Sequence, residues 1–146
     1  MLRSLPDYMK IRAFEEADEP GVVALWRACE LTRPWNDPHK DIARKLRVQR
    51  ELFLVGTVDD VLMATIMAGY EGHRGWVNYL AVSPALSRRG YGALMMQRVE
   101  QLLLEAGCPK INLQVRATNA GVIEFYHRLG YQNDETVSLG KRLIPD

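Results

Sequence analysis

The sequence predicts an α/β protein whose elements run β-α-α-β-β-β-α-β-α-β. Three observations carry that prediction. Residues 9–14 alternate Met, Ile and Ala with Lys and Arg, the period-2 signal of a half-buried strand. Two helix starts each pair an aspartate with a nearby proline, at Asp18 and Pro20 and again at Asp37 and Pro38. At the centre, a strand over 76–82, a loop over 83–89, a helix over 90–106 and a strand over 111–116 make one β-α-β unit. A crossover of that length joins parallel strands and is right-handed.

The elements follow in order. After the capping aspartate, the first helix places Val22, Leu25, Trp26 and Cys29 on one face. A polar break from Leu31 to Asn36 precedes the second helix, which carries Ile42, Leu46 and either Val48 or Gln49 before Glu51. Two apolar runs, 52–58 and 61–68, meet at Asp59-Asp60 as a hairpin, although that turn lacks the glycine a primed turn prefers. Gly72-His73-Arg74-Gly75 then turns the chain into the 76–82 strand. In the long helix Leu94, Met95, Val99, Leu102, Leu103 and Ala106 share a face; Gly107 stops it, and Pro109 follows where no helix can continue. Asn119 caps a short helix that turns Val122, Ile123, Tyr126 and Leu129 inward and ends at Gly130. A closing strand is expected over 137–144. Residues 1–8 show no periodicity and precede a second methionine, so they read as a loose extension ahead of a single domain over 9–146.

Composition narrows the class of function. A chain of 146 residues is one domain long, and at that size it buries enough surface to fold without a disulfide or a structural metal. Nineteen basic against eighteen acidic residues leave a net charge of +1, which argues against a nucleic-acid or polybasic membrane binder. No run approaches the ~20 apolar residues of a membrane span, and no signal-peptide core follows Arg3. Cys29 and Cys108 fit a reduced cytoplasmic protein and read as buried structural thiols. His39, His73 and His127 stand apart from one another and from any cysteine pair, so no metal is expected.

Ser87-Arg88-Arg89-Gly90-Tyr91-Gly92 lies between a strand and a helix N-terminus. There the backbone N–H groups have no internal partners and carry partial positive charge, a seat for phosphate. Gly90 and Gly92 let the backbone approach a bulky anion, while Arg88 and Arg89 add charge. The segment is neither a P-loop nor a dinucleotide fingerprint, lacking the Gly-Lys-Ser/Thr of one and the third glycine of the other. A tight turn with solvated arginines is the alternative. About thirty residues on, Asn119-Ala120-Gly121-Val122-Ile123-Glu124-Phe125-Tyr126-His127-Arg128-Leu129-Gly130-Tyr131 forms a second signature.

The two motifs, at that separation and in that order of elements, resemble the GNAT (GCN5-related N-acetyltransferase) superfamily over residues 9–143. Within it the chain looks like a bacterial YpeA-type subgroup. The resemblance implies the GNAT fold: a mixed, mostly antiparallel twisted sheet of six or seven strands with a central parallel, splayed pair, flanked by about four helices. It implies acetyl-CoA as co-substrate and no metal. The pyrophosphate cradle then falls on Arg88, Arg89, Gly90, Tyr91 and Gly92, with Ser87 standing where the family usually has Arg or Gln. Leu80, Ala81 and Val82 match the strand that bonds the pantetheine arm, and a backbone N–H near Leu80 would polarise the thioester carbonyl. Asn119 matches a pantetheine contact and equally suits a plain helix cap. Tyr126 matches the acid that protonates the departing thiolate, a phenol near pKa ~10 serving a thiol near ~8.5. As a bare residue it reads as a core aromatic.

The acceptor is less determined. Relatives that acetylate peptide N-termini often carry a glutamate base where this chain has Gln114, which cannot take a proton. Arg33, Trp35 and Asn36 in the break between the first two helices, with Glu71 and His73 in the turn after the hairpin, are expected to border the acceptor. Glu30 and Asp37 are further candidates for a base by neighbourhood. His73 also suits a solvated turn, and Trp35 a packing plug in a proline-stiffened loop. The function expected is acetyl transfer to a primary amine by direct attack, the partner being a small-molecule or peptide amine. Nucleic acid and membrane are not expected; a homodimer is allowed. The rival reading is a non-catalytic acyl-CoA-binding module.

Overall fold

The computed structural model describes residues 8–146, so the expected extension over 1–8 lies outside the described residues except for Tyr8. The chain forms two compact units, one holding the residues up to Asn112 together with Asp146, the other Leu113–Pro145. The first contains β1 (Met9–Ala13), α1 (Glu19–Ala28), α2 (Pro38–Lys45), β2 (Phe53–Val58), β3 (Val61–Tyr70), β4 (Gly75–Val82) and α3 (Tyr91–Glu105). β5 (Ile111–Leu113) follows at its end, and α4 (Ala120–Arg128) lies in the second unit.

The strands make one sheet in the order β1-β2-β3-β4-β5. Neighbours from β1 to β4 pair antiparallel. β5 begins beside the start of β4, where the Gly75 N–H donates to the Lys110 carbonyl at 2.8 Å. Strands that start side by side run the same way, so the sheet is mixed, as the crossover predicts. At the β2–β3 hairpin Val58 faces Val61, and Asp59 and Asp60 both take positive φ, 52° and 64°. The primed turn therefore forms without glycine, since aspartate tolerates the left-handed region.

The sheet is covered on both faces. On one, Phe14 stacks on Phe53 with ring centroids 4.4 Å apart, and Trp26 stacks in turn on Tyr79 at 3.7 Å. Val22, Val23, Ile42 and Val55 belong to the same buried cluster, against which the half-buried Tyr79 packs. α3 packs on β3 and β4, burying Met95, Val99 and Leu103 of the expected face and also Met96, while Leu94 and Leu102 are half-buried and Ala106 is exposed. The Asp37 carboxylate caps α2 as expected, accepting from the N–H groups of His39 at 2.8 Å and Lys40 at 3.4 Å.

Several expectations need correction. Asp18 precedes α1 but caps nothing there: its carboxylate takes two bonds from Arg12, at 2.8 and 2.9 Å, and the Glu15 N–H at 2.8 Å. An arginine fork offers that carboxylate more than a single helix N–H. α2 stops at Lys45, leaving Val48 exposed, and β5 is three residues long rather than six. Residues 137–144 form no strand, so among the described residues the sheet has five strands, not six or seven. Alternation says which side chains could share a face; a strand also needs a neighbour to satisfy its backbone, and Val137, Leu139 and Leu143 are exposed at 83–90%. Val122 is exposed rather than inward, and Cys29, unlike Cys108, is only half-buried.

Candidate functional site

Strand β4 carries the feature that organises the first unit's site. Asn78 pairs with Met67 and Ala81 with Thr65, so Tyr79 and Leu80 together oppose Ile66 alone. That is a β-bulge: one extra residue left out of the ladder, which bends the strand and frees backbone groups. Tyr79 takes φ +53°, a conformation costly for a bulky side chain. Three contacts hold it there. Its ring lies on Trp26, its hydroxyl donates to Asp41 at 2.7 Å, and its carbonyl accepts from the Thr65 hydroxyl at 2.9 Å. The Thr65 oxygen in turn accepts from the Trp26 indole N–H at 2.9 Å. Burial and the neighbouring Asp41 carboxylate push the Tyr79 phenol well up, so it stays a donor at neutral pH.

Past the bulge, Ala81 is buried, and the Val82 carbonyl accepts from the Cys29 thiol at 3.3 Å. Burial raises that thiol's pKa and keeps it protonated. The chain then makes a short 3-10 turn at Pro84–Leu86 and enters α3. Arg88 has φ +64° and Gly90 φ +85°. Left-handed residues just ahead of a helix N-terminus gather N–H groups into an anion-binding concavity. Gly90 serves as N-cap with no side-chain bond, and an added Cβ there would meet nothing within 4 Å. The space at Gly90 is open and the N-cap supplies no side chain of its own, which fits a pyrophosphate. Arg88 and Arg89 are exposed beside it, Gly92 lies in the first helical turn, and the Tyr91 ring is buried at 1%, leaving only its backbone for a ligand.

The expected acceptor residues fall into two turns of the same unit. Arg33 bridges to Asn36, and its guanidinium donates to the carbonyls of Glu30 at 2.8 Å and Thr32 at 2.9 Å; Trp35 is 54% exposed. The Glu71 carboxylate accepts from the N–H groups of His73 and Arg74, both at 2.6 Å, which holds its pKa down and leaves His73 exposed. No hydrogen bond joins the two turns among the described residues. Between the end of α2 and strands β3 and β4 runs a groove of about 370 Å³, lined by Lys45, Gln49, Met67, Tyr70, Trp76 and Asn78 among others.

In the second unit Asn119 caps α4, its side chain accepting from the Val122 N–H at 3.2 Å. Tyr126 is buried at 8% and sits edge-on to Phe125 and Tyr131, with centroids at 5.0 and 5.7 Å. Burial pushes its phenol up to about 12. The Gln114 amide donates to the Ser138 hydroxyl and offers no base. No cluster of three or more His, Cys, Asp or Glu able to hold a metal occurs among the described residues.

A bulged strand thus leads into a left-handed loop and a helix with glycine at its N-cap, an arrangement suited to an anionic carrier. The Acetyltransferase (GNAT) family matches residues 16–131, and the chain belongs to that family. An acetyltransferase of Yersinia enterocolitica is 46% identical over 138 residues, 94% of this chain and 98% of the relative. One of Yersinia pseudotuberculosis matches at the same identity and coverage. Among solved structures, Ard1 of Thermoplasma volcanium superposes with TM-score 0.73 at 25% identity, covering 84% of this chain and 81% of that one. The ribosomal-protein-S18-alanine N-acetyltransferase of Escherichia coli shares the fold, with TM-score 0.70, 22% identity, and 84% and 77% coverage. The protein is thus an acetyltransferase of the GNAT type, a family that uses acetyl-CoA and acts on small-molecule or peptide acceptors.

The sequence reading places the loop and the strand before it in one connected site, but it misses what makes the strand special. Tyr79, Thr65 and Asp41 carry no motif. Positive φ at a tyrosine has no glycine to announce it, and the bulge shows only in the register against β3.

Proposed function

We propose that this protein moves the acetyl group of acetyl-CoA to a primary amine by direct attack, within a single domain over 9–146 of the cytoplasm and in the YpeA-type subgroup. The observation that carries the reading is the continuity of the Tyr79–Leu80 bulge with the Arg88–Gly90 loop and the N-terminus of α3. Acetyl-CoA supplies the activated acetyl thioester. The backbone of Arg88, Arg89, Gly90, Tyr91 and Gly92 binds the pyrophosphate, and Leu80, Ala81 and Val82 receive the pantetheine arm with Asn119. The Leu80 N–H, at the bulge, orients and polarises the thioester carbonyl in this reading. Tyr126 gives its proton to the leaving thiolate. Arg33, Trp35, Asn36, Glu71 and His73 border the acceptor.

Proximity supplies much of the rate, because an α-amine near pKa ~8 is already partly uncharged at neutral pH and needs no strong base. That suits a chain with glutamine at 114. The test is thiol release from acetyl-CoA with a panel of α-amino, polyamine and lysine ε-amino acceptors, with product mass confirming N-acetylation. Turnover with at least one amine class is expected. Thiol release no faster than acetyl-CoA hydrolysis across the whole panel would overturn the reading.

A further inference from the structure

We propose that the groove between the last turn of α2 and strands β3–β4 is the acceptor channel, and that Lys45 in it receives a carboxylate carried about a tripeptide's length from the reacting amine. The inference rests on the amine-acetylation reading above and names its substrate class: a short, extended peptide-like amine ending in an acid.

Lys45 is half-buried, and its ammonium donates to the Ala68 carbonyl. An ammonium has three donors, and one carbonyl uses one of them. Arg12, Arg44, Arg50 and Arg128 each lie within ion-pair distance of a carboxylate, whereas Lys45 has none there among the described residues. A cation taken partly out of water is costly, and burial lowers the Lys45 pKa against a smaller opposing pull from the Glu51 carboxylate; an incoming carboxylate would reverse that cost.

The surroundings are built to keep the ammonium accessible. Gly69 lies beneath it: a Cβ there would stand 3.8 Å from the Lys45 Nζ and 3.3 Å from the Gln49 Oε1, so the bare backbone leaves the floor open. Gln49, itself at φ +52°, grips Tyr70 from both sides, its Oε1 accepting the Tyr70 N–H at 2.8 Å and its Nε2 donating to the Tyr70 carbonyl at 2.9 Å. That clamp fixes the chain leaving α2. Met67 and Trp76 give the groove an apolar lining for an aliphatic stem. Glu71, at its far end, already accepts from two N–H groups of its own turn.

Distance sets the length of the ligand. The groove reaches Asn78, the residue before the bulge. Ala68, which Lys45 touches, pairs with Val77, three residues from Leu80. At ~3.3 Å per residue that is about 10 Å, the reach of about three extended residues. A free amino acid is too short to place its amine at Leu80 and its carboxylate at Lys45.

The experiment compares trialanine with trialanine amide, and alanine with alaninamide, on the wild type, Lys45→Met and Lys45→Arg. Thiol release gives KM and kcat, and calorimetric titration in the presence of CoA gives Kd. For the wild type, trialanine is expected to show a KM and Kd about ten-fold below its amide, the size of one charge-assisted contact. Lys45→Met should abolish that difference by raising the KM and Kd of trialanine to those of its amide, Lys45→Arg should retain part of it, and the single-residue pair should show none that depends on Lys45. Turnover of both tripeptides without an acid preference would overturn the proposal and leave the enzyme reading standing. Tight, Lys45-dependent binding of trialanine with no turnover of any amine would sustain the groove and sink the enzyme reading. Failure of both tripeptides to bind, or an acid preference that survives in a folded Lys45→Met, would also overturn the proposal.

Discussion

Tyr126 sits in an apolar setting that holds its proton tightly, with its phenol pushed up to about 12. An acid must be protonated to act, and in the role proposed for it Tyr126 is so throughout the neutral and mildly alkaline range. The activity profile should therefore rise as the acceptor amine loses its proton and show no fall from Tyr126 up to about pH 10. Tyr126→Phe should lower kcat by about 10²–10⁴-fold with acetyl-CoA affinity kept; an unchanged kcat would remove Tyr126 from the chemistry. A second residue-scale prediction concerns Asp18. The Arg12 fork, then the Glu15 N–H, hold its carboxyl below the usual carboxylate range against a smaller cost of burial. A folded-state pKa below the unfolded ~3.9 gives stability that is present above about pH 4 and lost as pH falls through the folded value. Asp18→Asn should cost about 1 kcal/mol at pH 7, allowing for solvent screening, and almost nothing near pH 2, read from urea midpoints at the two pH values.

The bulge in β4 is the element on which the site depends, and it is held from a distance. Trp26 and Thr65 are bonded across 39 positions of sequence, and Tyr79 and Asp41 across 38. Thr65→Val keeps the shape but strands the fully buried Trp26 N–H and frees the Tyr79 carbonyl, so it should cost about 1–3 kcal/mol in unfolding free energy. It should also raise KM for acetyl-CoA, since Leu80 is re-aimed when its neighbour relaxes; stability loss with an unchanged KM would show the bulge is held by other means. Helix starts were legible where one residue decides them, as at Asp37 and Asn119, and failed at Asp18, where an arginine from β1 competes for the same carboxylate. The hairpin was legible from its two apolar runs despite Asp59-Asp60. The strand expected over 137–144 was not, because its pattern is local while its partner would have to come from elsewhere.

At the scale of the molecule, ligand linkage gives the most direct reading. Acetyl-CoA or CoA at 100 times its Kd adds about 2.7 kcal/mol, worth about 5–10 °C in melting temperature for a chain this long. Both should raise it, and ATP and NAD should not. Gly90→Glu should erase the shift, because it places a side chain at φ +85° and a negative charge in the cradle; a full shift in that variant would move the pyrophosphate elsewhere. No helix among the described residues is long and apolar enough to cross a membrane, and the net charge is +1. By itself, the sequence determined the order of elements from β1 to α4, since that follows from spacing, capping and periodicity within a few turns of chain, and its two motifs carried the resemblance to the family. Only the tertiary structure decided which strand carries the extra residue, which side chains pin it, and that a half-buried lysine faces an open groove. Those depend on register between strands and on contacts forty positions apart, which no local pattern encodes.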